Sequence, residues 1–310
     1  MSGATRPRAI VTGGAGFVGS HLVERLIADG WQVLVIDDLS HGSAPNLPDE
    51  VRLERLDIAI DELDAPVRDW NPRAVFHLAA QTSVPVSMHD PLRDLAVNVT
   101  GTHRVAAAAR QAGAGRLVFV SSGGAIYGEA TRPATEATLP APSSYYGVHK
   151  LAAEGHVALA GVPYAIARPT NIYGPRQTSG LEGAVVAAFV GQALARQALT
   201  IDGDGRQTRD FVHVRDVVDA LVRLGEGKGP IGIWNVASGR RTSIDDLANV
   251  VERAAGADLD RAYRPARLGD VRDSGASAAR LRRLGWRTTV SLLSGIRELL
   301  DGSARSPRAG

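Results

Sequence analysis

A run of β-branched residues breaks into a glycine loop and then into a helical pattern at "IVTGGAGFVGSHL", residues 10–22. Gly13, Gly16 and Gly19 are spaced three apart, and Gly14, Gly16 and Gly19 also satisfy G-x-G-x-x-G. Glycines in this order permit a tight turn and close backbone approach, and the following helix turns its N-terminus toward an anion such as a pyrophosphate. Glycine spacing alone is weak, so the context has to carry it. Asp37 ends the next β-branched run, "QVLVIDD", about 20 residues on, where a carboxylate can accept hydrogen bonds from an adenosine ribose. A carboxylate there repels a 2′-phosphate and no arginine follows in "DDLSHG". NAD is therefore expected over NADP, with Asp37 and its neighbour Asp38 at the ribose.

The loop opens a longer alternation. "RAIVTG", "QVLVIDD", "VRLERLDI", "AVFHLAA", "RLVFVSS" and "YAIARPT" read as strands, separated mostly by helical spacing as in "SHLVERLIADG" and "GTHRVAAAARQAG". Repeated βα units predict an α/β fold, a doubly wound parallel sheet covered on both faces. Asp57 would end the third strand and cap an adenine amine. Beyond residue 172 the pattern loosens into Gly- and Pro-punctuated loops, although "TSIDDLANVVERAAG" is a legible helix, opened by Ser243 with Asp246 three residues on and stopped by Gly256. The expected division is a dinucleotide-binding domain over 1–172, a smaller C-terminal α/β substrate lobe over 173–300, and a disordered tail over 301–310.

No apolar run approaches the ~20 residues of a membrane span. The start "MSGATRPR" lacks the apolar stretch of a signal peptide, and the chain has no cysteine. A cytoplasmic enzyme with no metal site is expected. Net charge is +2 with dispersed basic residues, which argues against a nucleic-acid surface.

"SSYYGVHK", residues 143–150, holds two adjacent tyrosines. On a helix, residues four apart share a face, so Tyr146 meets Lys150 while Tyr145 meets His149. A nearby cation lowers a phenol's pKa from about 10 toward the range of a general base.

With the glycine loop, Asp37, "HLAAQ", "NVTGT" and Tyr146-x-x-x-Lys150 in this order, the chain resembles the extended short-chain dehydrogenase/reductase family, whose nucleotide-binding domain is of Rossmann type. "ARPTNIYGPRQ", "GDGRQTRDFVHVRDVVDA" and "RLGDVRDS" are similar to its nucleotide-sugar branch, and most of all to UDP-sugar 4-epimerases. The resemblance implies NAD-dependent epimerisation at C4 of a UDP- or dTDP-hexose through a transient 4-keto sugar. Tyr146 is then the base and Lys150 its electrostatic partner, which also holds the nicotinamide ribose. It further implies cofactor contacts at Phe17, Val18, Ile58, Leu78, Ala79, Ala80, Ser121 and Asn98, the last within a kinked helix. Substrate contacts are implied at Gln81, Asn171, Arg209, Arg267, Asp270 and Ser274, and a homodimer through the alanine-rich helices near 91–112 and 145–160.

Two departures stand out. The serine or threonine expected four residues before Tyr127 is Gly123, leaving Ser122 as the nearest substitute hydroxyl, and Tyr145 stands where proline usually precedes the catalytic tyrosine. A 4,6-dehydratase or decarboxylase of the same family is the close alternative. The residues that would transfer protons in such a relative are Gly124 and Ala125 here, which cannot do so. A non-catalytic NAD-binding regulatory protein is the alternative of another class, set against the presence of both Tyr146 and Lys150.

Overall fold

The structure, a computed structural model, describes residues 6–178, 184–266 and 271–305. In chain order the elements begin with β1 (Arg8–Thr12), α1 (Phe17–Ala28), β2 (Gln32–Ile36), β3 (Arg52–Glu54), α2 (Asp64–Trp70) and β4 (Ala74–His77). Then come α3 (Val84–His89), α4 (Pro91–Leu95), a π-helical turn (Ala96–Gly101), α5 (Thr102–Gln111), β5 (Arg116–Val120), α6 (Gly123–Ile126), α7 (Tyr145–Leu159) and β6 (Tyr164–Pro169). The rest comprises β7 (Asn171–Tyr173), α8 (Val185–Leu194), β8 (Leu199–Asp202), β9 (Thr208–His213), α9 (Val214–Gly225), β10 (Gly232–Val236), β11 (Arg241–Ser243), α10 (Ile244–Ala255), β12 (Arg261–Arg264), α11 (Ala279–Arg282) and α12 (Leu292–Arg305).

The chain divides into two interleaved compact units: 1–122, 144–168 and 218–234 form one, and 123–143, 169–217 and 235–310 the other. A single cut at 172 is thus crossed twice. In the first unit the main sheet has the order β10-β6-β5-β4-β1-β2-β3, and the pairs from β6 through β3 are parallel. After its exposed first residue, β1 is buried without alternation, as is β2, as expected where helices cover both faces. Ile10, Leu34, Val75, Leu117, Phe119, Val105, Ala109, Ala153 and Val157 belong to its core.

The third strand is shorter than its sequence run. It ends at Glu54, so Asp57 lies beyond it in a turn, its Oδ1 accepting the Ala59 N–H at 2.8 Å. A short polar side chain that bonds the backbone two residues on favours a turn over a ladder.

The second unit has its own core around Tyr173, Phe189, Leu199, Phe211, Leu247 and Val251. It is built on a three-stranded sheet of order β11-β9-β7 and a two-stranded one, β12-β8. Helix α10 is bounded as its sequence predicts: the Ser243 hydroxyl accepts the Asp246 N–H at 3.0 Å, and Gly256 ends it at φ +65°. The first five residues of the tail expected from 301 are instead helical, because α12 continues through Arg305; 306–310 lie outside the described residues.

Candidate active site

In the first unit, the loop after β1 is shaped by two glycines. Gly13 has φ +70°, and a Cβ there would stand 2.6 Å from the Ala79 nitrogen; a Cβ on Gly19 would stand 2.0 Å from the Gly13 carbonyl oxygen. Leu78 and Ala79 therefore run directly against the loop, anchored by the Leu78 N–H to the Thr12 carbonyl at 3.1 Å. The first turn of α1, with Phe17, Val18 and Gly19, starts at Gly16, and no side chain caps it and no acidic residue enters it. Its N–H groups and the positive end of its dipole are left for an anionic group.

Asp37 is buried next to that loop. Its Oδ2 accepts the Ala15 N–H and its Oδ1 the Leu39 N–H, each at 2.9 Å. Burial pushes its carboxyl above the ordinary range, against the pull of these two donors. Asp38 is exposed and folds onto Ser40, accepting its N–H at 2.9 Å. Ile58 packs under Gly101, where a Cβ would come within 2.7 Å of it.

Helix α7 presents the tyrosines. Ser144 caps it by accepting the Gly147 N–H, and Ser87 accepts the Tyr146 N–H at 3.1 Å, fixing the first turn against α3. Tyr145 is 46% exposed and lies over the His149 ring, centroids 6.0 Å apart. Tyr145 thus takes the neighbour that four-residue spacing gives it. Lys150 is buried; its Nζ donates to the Val120 carbonyl at 2.7 Å and sits 4.3 Å from the Phe119 ring centroid. Desolvation pushes the ammonium down to about 7, opposed by the charges of Glu154 and Asp94.

Behind Lys150, Glu154 receives Arg168 Nε and Nη2 at 2.8 and 2.6 Å and the Ser121 hydroxyl at 2.6 Å. The Ser121 side chain is thereby turned into this buried pair, with Ser122 next along the chain. Asn98 sits in the π-helical turn, fully buried. Its Nδ2 donates to the Gln81 carbonyl at 2.9 Å and to Asp94 Oδ1 at 3.0 Å, and its Oδ1 has no partner among the described residues. Gln81 is tied inward: Nε2 donates to Asp94 and to the Ser83 carbonyl, and Oε1 accepts the Ser83 N–H. Its amide is therefore engaged within the protein.

Apart from the pairing of Tyr145 with His149, these contacts of Ser87, Asp94, His149, Glu154 and Arg168 were not anticipated from the sequence. The one available signal was spacing, since Glu154 falls one turn beyond Lys150 and Asp94 one turn before Asn98.

In the second unit, Gly124, Asn171 and Ser274 converge. A Cβ on Gly124 would lie 3.9 Å from Asn171 Oδ1 and 4.0 Å from Ser274 Oγ, so the glycine keeps space open before both. Asn171 Oδ1 is buried without a partner among the described residues. Ser274 is buried, and its N–H donates to the Thr208 carbonyl at 3.1 Å, which also accepts Arg209 Nη1 at 2.8 Å. Arg267 and Asp270 lie outside the described residues. Among the described residues no group of three or more His, Cys, Asp or Glu could hold a metal, and no helix is long and apolar enough to cross a membrane.

Comparison with known proteins agrees with this arrangement. The chain is 42% identical over 305 residues to a UDP-glucose 4-epimerase of Mycolicibacterium smegmatis, covering 95% of this chain and 97% of that one. The UDP-glucose 4-epimerase of Thermus thermophilus, solved in complex with NAD, superposes with a TM-score of 0.92 at 37% identity, over 97% of this chain and 100% of its own. That of Thermotoga maritima, solved with UDP-glucose, gives 0.90 at 36% identity, over 96% and 99%. The profile of the NAD dependent epimerase/dehydratase family matches residues 9–237, and the chain belongs to that family.

Proposed function

We propose that this protein is an NAD-dependent 4-epimerase of a UDP-hexose of the glucose and galactose type. The observation that carries the reading is the first unit's combination of an uncapped helix N-terminus at the glycine loop, a buried Asp37, and Tyr146 and Lys150 on one face of α7. The printed activities of the UDP-glucose 4-epimerases it resembles support it.

The glycine loop and α1 fit a dinucleotide pyrophosphate. Asp37 fits the adenosine ribose as an acceptor, and its negative charge disfavours a 2′-phosphate. NAD, when bound, would take the hydride from C4 of the sugar and give it back. Tyr146 would take the proton of the C4 hydroxyl and return it, since a cation such as Lys150 on the same helix face favours a phenolate. Lys150, lifted off the Val120 carbonyl or sharing it, would also donate to the nicotinamide ribose. Ser122 is the hydroxyl closest in sequence to the missing one at Gly123 and would orient the C4 oxygen.

In the second unit, Asn171 and Arg209 would engage the diphosphate, for which the guanidinium fork is suited. Arg267 and Asp270 would complete the nucleotide site, and Ser274 would border the sugar. Inversion requires the sugar to turn about its diphosphate link, so firm anchoring of the nucleotide beside an open sugar pocket suits the reaction. Gly124, with space before it, fits this and offers no proton-transferring group for a dehydratase. A homodimer is supported by apolar residues left exposed on α4 and α7, among them Leu92, Leu95, Val148 and Leu159.

The experiment is turnover of UDP-galactose followed by proton NMR. Tyr146→Phe is expected to abolish interconversion while nucleotide-sugar binding survives, because only the ionisable oxygen is lost; Tyr145→Phe should change little. A dead Tyr145→Phe beside an active Tyr146→Phe would overturn the assignment.

A further inference from the structure

Arg104, in the first turn of α5, reaches out of its own helix onto the backbone of another segment of the first unit. Its Nη1 donates to the Ile58 carbonyl at 3.0 Å and its Nη2 to the Ile60 and Asp61 carbonyls at 3.4 and 2.5 Å. Carbonyl oxygens gathered at one place repel one another, and a planar fork of N–H donors offsets that repulsion. The guanidinium is thus placed to close a turn. The turn is also tied from within: Asp61 Oδ2 accepts the Asp57 N–H at 2.7 Å, the Asp57 carbonyl accepts the Ile60 and Asp61 N–H groups at 3.2 and 2.9 Å, and Asp57 Oδ1 accepts the Ala59 N–H at 2.8 Å. Ile58 underlies it, packed against Gly101. Asp57 keeps its other oxygen, Oδ2, which has no partner among the described residues, for a donor from outside the turn.

The turn stands beside the residue assigned to the adenosine ribose. The Asp37 N–H donates to the Glu54 carbonyl at 3.2 Å, and Arg55 Nε donates to the Asp38 carbonyl at 3.4 Å. The chain therefore leaves β3 alongside Asp37 and reaches Asp57 two residues later. On its other side the turn rests on Gly101, the last residue of the π-helical turn that carries Asn98. Arg104 follows three residues on, so one short stretch of helix both supports the turn from below and clamps its carbonyls.

We propose that Arg104 is a positioning residue for the dinucleotide: by clamping the 57–61 turn against α5 it aims Asp57 Oδ2 at the exocyclic amine of adenine, and so gives the site its preference for an adenine base. The proposal rests on the NAD reading and on Asp57 as the acceptor of that amine; the clamp itself does not. Hypoxanthine carries a carbonyl oxygen where adenine carries the amine, so a fixed carboxylate oxygen meets a lone pair instead of an N–H. A charged acceptor matched or left unmatched in this way is worth on the order of ten- to a hundredfold in affinity. A carboxylate free to turn toward water discriminates far less.

The test is a competition on the full-length protein. It is incubated with an equal mixture of NAD and nicotinamide hypoxanthine dinucleotide until the bound ratio is constant, freed of unbound nucleotide and denatured, and the released nucleotides are separated by chromatography. A second mixture, of NAD and NADP, reads the ribose end of the same site, which depends on Asp37 and not on the turn. The variants are Arg104→Met, Asp57→Ala, the two together, and Asp61→Ala, which loosens the turn from within and leaves α5 untouched.

The natural protein is expected to favour NAD over the hypoxanthine analogue by about tenfold or more. Arg104→Met should lose most of that preference while its choice of NAD over NADP stays as it was, and Asp61→Ala should do the same. Asp57→Ala should lose it too, and adding Arg104→Met to Asp57→Ala should change the ratio no further. Asp61→Ala decides the matter if Arg104→Met does not fold. An adenine preference kept in Arg104→Met, a loss of both preferences together, or a further loss in the double variant overturns the proposal. A natural protein that holds NAD without preferring it to the analogue rejects Asp57 as the acceptor and the proposal with it, whereas one that holds neither dinucleotide rejects the NAD reading on which both rest.

Discussion

Replacing Lys150 by methionine is expected to stabilise the protein at neutral pH while inactivating it. The side chain is 2% exposed, and burial takes its ammonium from an ordinary 10.5 to about 7. At about 1.4 kcal/mol for each pH unit, that interval corresponds to roughly 5 kcal/mol of destabilisation. Below about pH 7 the folded and unfolded chains both hold the proton, and the whole penalty is present. Between about 7 and 10.5 only the unfolded chain is protonated, so stability rises with pH. Methionine removes the penalty but forfeits the charge-assisted bond to the Val120 carbonyl, worth roughly 1.5–3 kcal/mol. Lys150→Met should therefore be more stable by about 2–3 kcal/mol at pH 6–7, and the advantage should vanish by about pH 9. Urea unfolding of the nucleotide-free protein at intervals from pH 6 to 9.5 measures this. A difference that stays flat with pH, or a natural protein that is the more stable at pH 6, would refute the claim that the ammonium is buried at a cost.

Three further outcomes are expected. The purified protein should carry NAD and prefer it to NADP because of Asp37; chromatography of the nucleotide released on denaturation reads this, and NADP in the eluate would count against it. Light scattering at micromolar concentration should report a dimer, whereas a monomer would remove the meaning given to Leu92, Leu95 and Val148. UDP-N-acetylgalactosamine should be turned over beside UDP-galactose, and Ser274→Tyr, which fills the space before Gly124 and Asn171, should reject the acetylated sugar by tenfold or more, at roughly 1–3 kcal/mol for each methylene-sized contact; an unchanged preference in a folded Ser274→Tyr would sink the idea.

What could be read from the chain was whatever physics writes locally. The glycine loop, the β-branched runs and the Ser243 and Gly256 caps each depend on residues within a few positions of one another. So does the pairing of Tyr145 with His149, which follows from 3.6 residues per turn. The network behind the site was not legible for the opposite reason: Asp94 meets His149 across 55 positions and Ser121 meets Glu154 across 33, and no short-range signal distinguishes those residues from surface charges. Gln81 illustrates the converse. Its place in "HLAAQ" marks it as near the site, but whether an amide faces outward or inward is decided by the donors and acceptors around it, here Ser83 and Asp94. The interleaving of the two units was hidden as well, since nothing local in "GIWNV", the β10 strand Gly232–Val236, says which sheet it will join.

That last strand has a consequence for how the protein is made. β6 ends at Pro169, while β10, its partner on the sheet's outer side, begins at Gly232. At translation rates of about 5–20 residues per second, the ribosome supplies the partner several seconds after β6 has emerged. During that interval a strand that is buried from Ala165 through Pro169 in the finished protein stands at an open sheet edge, the element most prone to pair with the wrong neighbour. Synonymous codon choice across residues 170–231, which sets the length of the wait, should influence the yield of folded protein more than the same changes made before residue 116. A chain released at 172 would hold that edge open permanently.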